Sequence, residues 1–582
     1  MDRQENTANA DEQSNSVTRA KGGIKTLPFI LANDMCEKLA MMGFVKNMVN
    51  YFTDQFHMPI TKAANTVTNF NGTQNLTPLL GAFIADSYAG KFLTIAVATV
   101  IYILGMSILT LSAAMPRLRP PPCGGNQVCK EADGGQEAIL CVSLILAAVG
   151  AGGIKPCVAA FGADQFIDED PQKQSNKTSV YFNWYYFIME ASGLIAVTVL
   201  VYVQDNIGWG WGLGIPTILM ALSIIPFVIG YPLYRNLAPA GSPYMRLLQA
   251  AIAAFRKRKA STVPDPRLLY VNEELDASIS ADGSLHHTKQ LRFLDKAAIV
   301  TEEDSIKSSN KPNLWRLNTV HRVEELKCVI RLLPIWAAGI LFSTASVQQN
   351  TFSIQQGKTM DRNLTKSFKI PSASMSIFTT LFNLFTIAVY DRLFVPLARK
   401  YTGHHQGINQ LHRMAIGLFL AILATLVAGF VEMNRKHAAL TNSKHPLSIF
   451  WLVPQYSLHG ISESFHSVAR VQFFYDQAPE SMRSTCSALF WTAIAAGNYM
   501  STLLVSLVHK YSTGADGSNW LPNKNLNKGK LENFYWLLTI LQLLNFVYFL
   551  LCTKFYTFKT LESEKIEHEE LREEAVELGI VS

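Results

Sequence analysis

Apolar residues in this chain gather into long runs instead of alternating with polar ones. Runs at 92–115, 138–160, 185–202, 215–231, 414–431, 449–460 with its continuation, and 536–552 are nearly free of charge. About 20 such residues let a helix cross a bilayer, and less pure runs of that class occupy 27–52, 63–87, 326–347, 374–393 and 485–509. The pattern predicts twelve transmembrane helices and an all-α membrane protein. One run breaks its own pattern. Leu27-Pro-Phe-Ile-Leu-Ala-Asn-Asp34-Met-Cys-Glu37-Lys38 sets two acids and a base three and four residues apart, on one helical face. Ionisable groups at membrane depth are costly and persist where they pair or line a water-filled path, proton relays among them.

Composition agrees with this reading: 49% of residues are hydrophobic and 16% charged, against about 25% charged in soluble domains. Loop charges then set the orientation. Arg256-Lys-Arg-Lys259, Lys91 after span two, and Arg399, Lys400 and Arg413 after span eight all fall on one side of a twelve-span chain. The positive-inside tendency places that side and both termini in the cytosol. The expected organisation is a disordered cytosolic tail (1–23), a six-helix bundle (24–237), a cytosolic linker (238–325), a second six-helix bundle (326–556) and an acidic cytosolic tail (557–582). Residues 1–23 mix acids and bases without an apolar core, so no cleavable signal peptide is expected.

The basic run 256–259 beside the amphipathic stretch 245–255 reads as a contact with anionic lipid headgroups rather than with nucleic acid. The sequon at Asn363 falls outside and is a glycosylation candidate, whereas those at Asn71, Asn75 and Asn176 should be silent. Cys123 and Cys129 share one loop and can pair if it faces an oxidising compartment. There is no Walker sequence and no metal-ligand spacing, so neither an ATP-driven pump nor an enzyme is supported, and no cofactor or metal is expected. A weak repeat links Gly81–Lys91 to the segment from Tyr390-Asp391-Arg392 to Arg399-Lys400: each sets an acid at a helix end before basic residues. That repeat points to two bundles about a pseudo-twofold axis, with substrate held between them near the midplane.

Several motifs carry a family resemblance over residues 22–557: the Asp34–Lys38 cluster; Ala64-Asn-Thr-Val-Thr-Asn-Phe70; Leu118-Arg-Pro-Pro-Pro-Cys123; Gly152-Gly-Ile-Lys155-Pro; Phe161-Gly-Ala-Asp-Gln-Phe166; Tyr181-Phe-Asn-Trp184; and Phe473-Phe-Tyr-Asp-Gln-Ala-Pro479. The chain resembles the plant nitrate/peptide transporter family, a branch of the proton-coupled oligopeptide transporters in the major facilitator superfamily, and is most similar to the subgroup linked to nitrite, nitrate and gibberellin. The resemblance implies a proton-coupled symporter of the major facilitator fold, working by alternating access and functional as a monomer. It assigns proton coupling to Asp34, Glu37 and Lys38, where the family has Glu-x-x-Glu followed by Arg or Lys. It assigns Lys155 in span four and Glu463 in span ten to a breakable charged pair across the central cavity.

Two positions depart from the family pattern. Ser346 stands where a nitrate-binding member has a span-seven histidine, and a neutral hydroxyl supplies no positive charge to an anion. Glu190 stands where asparagine is usual in span five, so it either recognises a protonated nitrogen, serves as a second proton site, or pairs with a nearby lysine. His466 and Arg470 follow Glu463 on a similar helical face and are candidate accessory groups of a polar pathway. Thr94 aligns with a phosphorylation site of one family branch. The substrate expected is nitrite, nitrate or a plant hormone such as gibberellin. The alternatives are a cationic, alkaloid-like metabolite, and a uniporter or low-turnover sensor. The plasma membrane is the expected location, with the tonoplast or plastid envelope as alternatives.

Overall fold

The computed structural model describes residues 22–559 apart from 123–129, 167–180, 182–184, 186–187, 190, 236–242, 261–267, 277–278, 280–284, 302–303, 305–311, 366–367, 395, 398–399, 401–407, 442–445, 480–482, 513–518 and 524. The described residues are almost entirely helical and fall into the two six-helix bundles of the major facilitator fold. In the first, span one is Leu27–Gln55, span two Ile60–Ile84, span three Lys91–Ala114, span four Gly134–Asp164 and span six Trp209–Ile229. The described end of span five is Ala196–Leu200 followed by Val201–Asn206. In the second, span seven is Val320–Ser346, span eight Ser372–Phe394, span nine Gln410–Thr441, span ten Val453–Asp476, span eleven Arg483–Tyr511 and span twelve Leu531–Lys554.

Eight of these helices are long and apolar enough to cross a membrane on composition alone. Spans one, two and ten are not among them, because each carries polar or ionisable residues within its apolar length. Those three helices supply the groups at the centre of the molecule. Spans two and four cross at glycine: a Cβ on Gly81 would sit 2.2 Å from the Gly152 carbonyl oxygen. Spans eight and ten cross in the same way, with a Cβ on Gly460 placed 2.3 Å from the Thr379 carbonyl oxygen. One turn beyond each crossing glycine stands a charge, Lys155 after Gly152 and Glu463 after Gly460. The weak sequence repeat has a backbone counterpart: both acid-bearing segments, Ala85–Ala89 and Tyr390–Phe394, leave α geometry for a π turn.

The linker folds onto the second bundle. Span seven begins at Val320, six residues before the expected 326, because Thr319 caps it by accepting from the Arg322 amide. Its first turns are covered by the linker helix Pro243–Arg256, whose Ala250, Ala253 and Ala254 pack with Leu294, Ala297, Val323 and Leu326. Ion pairs fix the seam, Arg322 to Asp276 at 3.1 Å and Lys327 to Asp295 at 2.6 Å, and within span seven Lys327 also meets Glu324 at 2.7 Å. This packing corrects the expectation that all of residues 256–259 meet lipid. Lys257 is buried, 2.6 Å from Asp304, and donates to the Ile299 carbonyl. Burial opposes ionisation of Asp304, but Lys257 and the Thr301 hydroxyl and amide outweigh it and hold the carboxyl below its usual range.

Candidate functional site

Span one starts with Pro28 in its first turn, where the missing amide costs nothing, and runs unbroken past the charged cluster. Helical spacing brings Asp34, Glu37 and Lys38 together, and packing removes them from solvent. Asp34 and Glu37 are 0% exposed and Lys38 6%. The Lys38 ammonium lies 2.7 Å from Glu37 Oε2 and 3.7 Å from Asp34 Oδ1. Two carboxylates therefore share one lysine. Both Asp34 oxygens and Glu37 Oε1 have no hydrogen-bond donor among the described residues. With both acids ionised, the cluster holds one uncompensated negative charge in a site where such a charge is expensive. One proton removes it.

Lys155 of span four belongs to the same region. Its electrostatic neighbours are Glu37 and Lys38, and its ammonium stands 5.9 Å from the Trp491 ring centre in span eleven. No ion pair joins Lys155 to Glu463 in this conformation; Glu463 instead acts electrostatically on His459 and Arg470 of its own helix. His459, Glu463, His466 and Arg470 follow at intervals of four, three and four residues, a single face of span ten. His466 is buried 4.2 Å from the Phe342 ring, and its Nδ1 meets the Met414 carbonyl at 3.4 Å. Arg470 is buried with its guanidinium 4.6 Å from the Phe490 ring centre. Its Nη1 occupies the space that a side chain at Gly339 would need. Both residues are packed between helices in this conformation.

The remaining sequence candidates are placed as follows. The Ser346 hydroxyl donates to the Phe342 carbonyl at 3.0 Å. Thr94 is 8% exposed and donates to the Gly90 carbonyl at 2.9 Å, so its hydroxyl is engaged and covered. Asn363 is exposed, its side chain held 2.8 Å from Asp361 Oδ1. Glu190, Asn176, Cys123 and Cys129 lie outside the described residues.

Hydrogen bonds between the bundles gather in the half of the molecule away from the linker. Lys358 pairs with Asp54 at 2.6 Å; Asn50 meets Ser372 at 3.2 Å and Gln355 at 3.1 Å. The series continues from span two to Asn523 in the loop before span twelve (Thr61–Asn523, 2.9 Å) and then along span eleven with Asn65–Ser506 (3.0 Å), Thr68–Thr502 and Thr73–Tyr499 (2.8 Å). The polar residues of span two thus serve as interhelical hydrogen-bonding groups, as bilayer-embedded polar residues commonly do. The series ends at Thr73. Among the described residues, the bundles are latched at the far end and no hydrogen bond joins them toward the linker.

Sequence reasoning missed a repeated clasp. Phe161-x-x-Asp164-Gln165 ends span four and Phe473-x-x-Asp476-Gln477 ends span ten, a shared spacing that a comparison of the halves would have found. Gln165 accepts from the Arg235 amide at 2.8 Å and donates to its carbonyl at 3.2 Å, just past span six. Gln477 accepts from the Lys559 amide at 2.9 Å, just past span twelve. Each phenylalanine packs on a tyrosine of the departing chain, Phe161 on Tyr234 at 5.2 Å and Phe473 on Tyr556 at 5.0 Å between ring centres.

Comparison with known proteins adds the following. A family model described as "PTR2: POT family" matches residues 92–521. The chain is 62% identical over 551 residues to Protein NRT1/PTR FAMILY 3.1 of Arabidopsis thaliana, covering 94% of this chain and 92% of that one. It is 44% identical over 555 residues to Protein NRT1/PTR FAMILY 8.1 of the same plant, covering 94% and 96%. In solved structures, an auto-inhibited POT family peptide transporter matches with TM-score 0.68 and 20% identity over 92% of this chain and 98% of its own. The POT family transporter PepTSo matches with TM-score 0.64 and 20% identity over the same shares.

Proposed function

The chain belongs to the POT family, and on that premise we propose that it imports a small solute with protons by alternating access, its linker end in the cytosol and open in this structure. The family consists of transporters, not enzymes, and the coupling ion is the proton without any cofactor. The observation that carries the coupling reading is the pair of fully buried carboxylates sharing Lys38. Lys38 is committed to Glu37 by 2.7 Å against 3.7 Å, so Asp34 is the carboxylate that takes the proton. Protonation removes negative charge from the wall that Lys155 faces. Lys155 is then freer to pair with Glu463 across the cavity, which draws spans four and ten together and closes the linker end. Deprotonation restores the pull of the triad and reopens it.

The substrate class is a nitrite- or nitrate-like anion or a plant hormone such as gibberellin. Ser346 offers such a solute a hydroxyl without charge, so positive charge has to come from Lys155. The plasma membrane is the membrane this reading favours. Oocyte uptake at acidic and neutral external pH tests it, with a panel of nitrite, nitrate, a gibberellin, a dipeptide and a cationic alkaloid, and Glu190→Asn run alongside. Acid-stimulated uptake of an anion or gibberellin, retained in Glu190→Asn, is the expected result. Acid-stimulated uptake of the alkaloid alone, abolished in that variant, would replace it with recognition of a cation. Uptake indifferent to pH would defeat proton coupling altogether.

A further inference from the structure

The structure pins the start of the C-terminal segment and leaves a basic surface beside it. Lys559 is held by Gln477 through its amide, and its ammonium donates to the Ala478 carbonyl at 3.0 Å. Two residues earlier, Thr557 accepts from Gln290 of the linker at 2.7 Å. Lys289 and Arg292 flank Gln290 in sequence; both are exposed, and neither has an acidic partner among the described residues. The Lys296 ammonium, one turn on, donates to the Arg258 carbonyl at 2.7 Å, which joins this strip to exposed Arg258 and Lys259 at the end of the linker helix. Lys259 also lacks an acidic partner there. Buried Lys257 is the exception, neutralised by Asp304. Among the described residues, the linker thus presents a band of cations without acidic partners.

Immediately past Lys559 the sequence turns acidic: residues 561–578 contain eight glutamates against Lys565 and Arg572. Glu562 is five residues from Thr557, a reach of at most ~17 Å in extended chain. Tethering holds the remaining glutamates at high effective concentration near the band. We propose that the acidic segment 561–578 docks on the linker strip formed by Lys289, Arg292, Arg258 and Lys259, joining the end of span twelve to the linker at the mouth of the transporter. The linker is already fixed to span seven through Arg322–Asp276 and Lys327–Asp295, so the docked segment would travel with the second bundle.

Zero-length carbodiimide coupling on the purified full-length protein tests this without replacing any cysteine. In neutral-lipid nanodiscs, mass spectrometry of the monomer should find Lys289 or Lys259 joined to a glutamate of 562–577. That link should disappear in molar salt and weaken in the Glu567→Gln/Glu570→Gln/Glu573→Gln variant, which removes three of the eight glutamates. The exposed Lys62–Glu137 pair at 2.5 Å couples in every sample and reports that the fold is intact. Absence of the tail link where Lys62–Glu137 couples would overturn the proposal. A link found in neutral nanodiscs but lost in discs rich in anionic lipid would assign the strip to headgroups and overturn it equally.

Discussion

The two bundles share one scaffold and differ in how they hold charge. Both cross their second and fourth helices at glycine, both carry a π turn at the repeated acid, and both clasp the departing chain with a Phe-x-x-Asp-Gln end. In the first bundle the buried charges are close-paired, with Asp34, Glu37 and Lys38 in one cluster one charge short of neutral. In the second, Glu432 and Arg435 of span nine close a buried, neutral pair at 2.7 Å, while Glu463 and Arg470 lie two turns apart on one face of span ten without an ion pair between them. The difference supports the roles proposed above. A compact cluster with an uncompensated charge responds to one proton, whereas an unpaired Glu463 is available to a partner from the other bundle.

Removing the shared base should break the comparison most severely. Lys38→Gln leaves two buried carboxylates without a cation, at a cost of about 3–5 kcal/mol. A large fall in Tm in detergent, with loss of acid-stimulated uptake, is expected; an unchanged Tm would show that the triad is not held as described. Next come the crossings. Gly81→Ala and Gly460→Ala each press a methyl group onto a neighbouring carbonyl, and should cost about 1–3 kcal/mol. Melting curves that drop by similar amounts for both would sharpen the view of one scaffold used twice, and a loss confined to one half would break it.

Glu463→Gln should separate the roles further. Having no ion pair here, Glu463 can be neutralised with a stability change within about 0.5 kcal/mol. Closure of the linker end loses its charge partner, so net uptake slows, read as a lower maximal rate at unchanged Tm. The smallest effect belongs to the linker. Its folded-state pKa is below the usual carboxylate value, so the stabilisation from Asp304 is present at neutral pH and fades as acid protonates it. Asp304→Asn should therefore speed tryptic nicking of the linker at neutral pH. The difference from the unmodified protein should vanish under pepsin in acid.

Much of this was legible in the chain. Spacing alone put Asp34, Glu37 and Lys38 on one face, and apolar runs gave the twelve spans, because both depend on local periodicity. The Tyr390–Arg392 repeat was visible as composition, and its π geometry was not, since it arises from how the helix ends pack. Lys257 looked like its neighbours Arg256 and Arg258 until the fold brought Asp304 to it from 47 residues away. The early start of span seven was hidden for a related reason: His321, Arg322 and Glu324 read as solvated linker, and their burial depends on partners that the fold supplies, among them Asp276 of the linker beside Arg322 and Lys327 beside Glu324. Whether Lys155 and Glu463 pair is a property of the conformation, which no spacing encodes.

The central claim is that Asp34 carries the coupled proton, and Asp34→Asn in proteoliposomes tests it most directly. The probe is nitrite, or the panel solute that the unmodified protein takes up. Neutralising Asp34 removes the excess charge and keeps the Lys38–Glu37 bond. The variant should therefore fold and exchange labelled solute in counterflow, yet fail to accumulate it when an inward proton gradient is imposed. Accumulation equal to that of the unmodified protein, with the same response to external pH, would contradict the account.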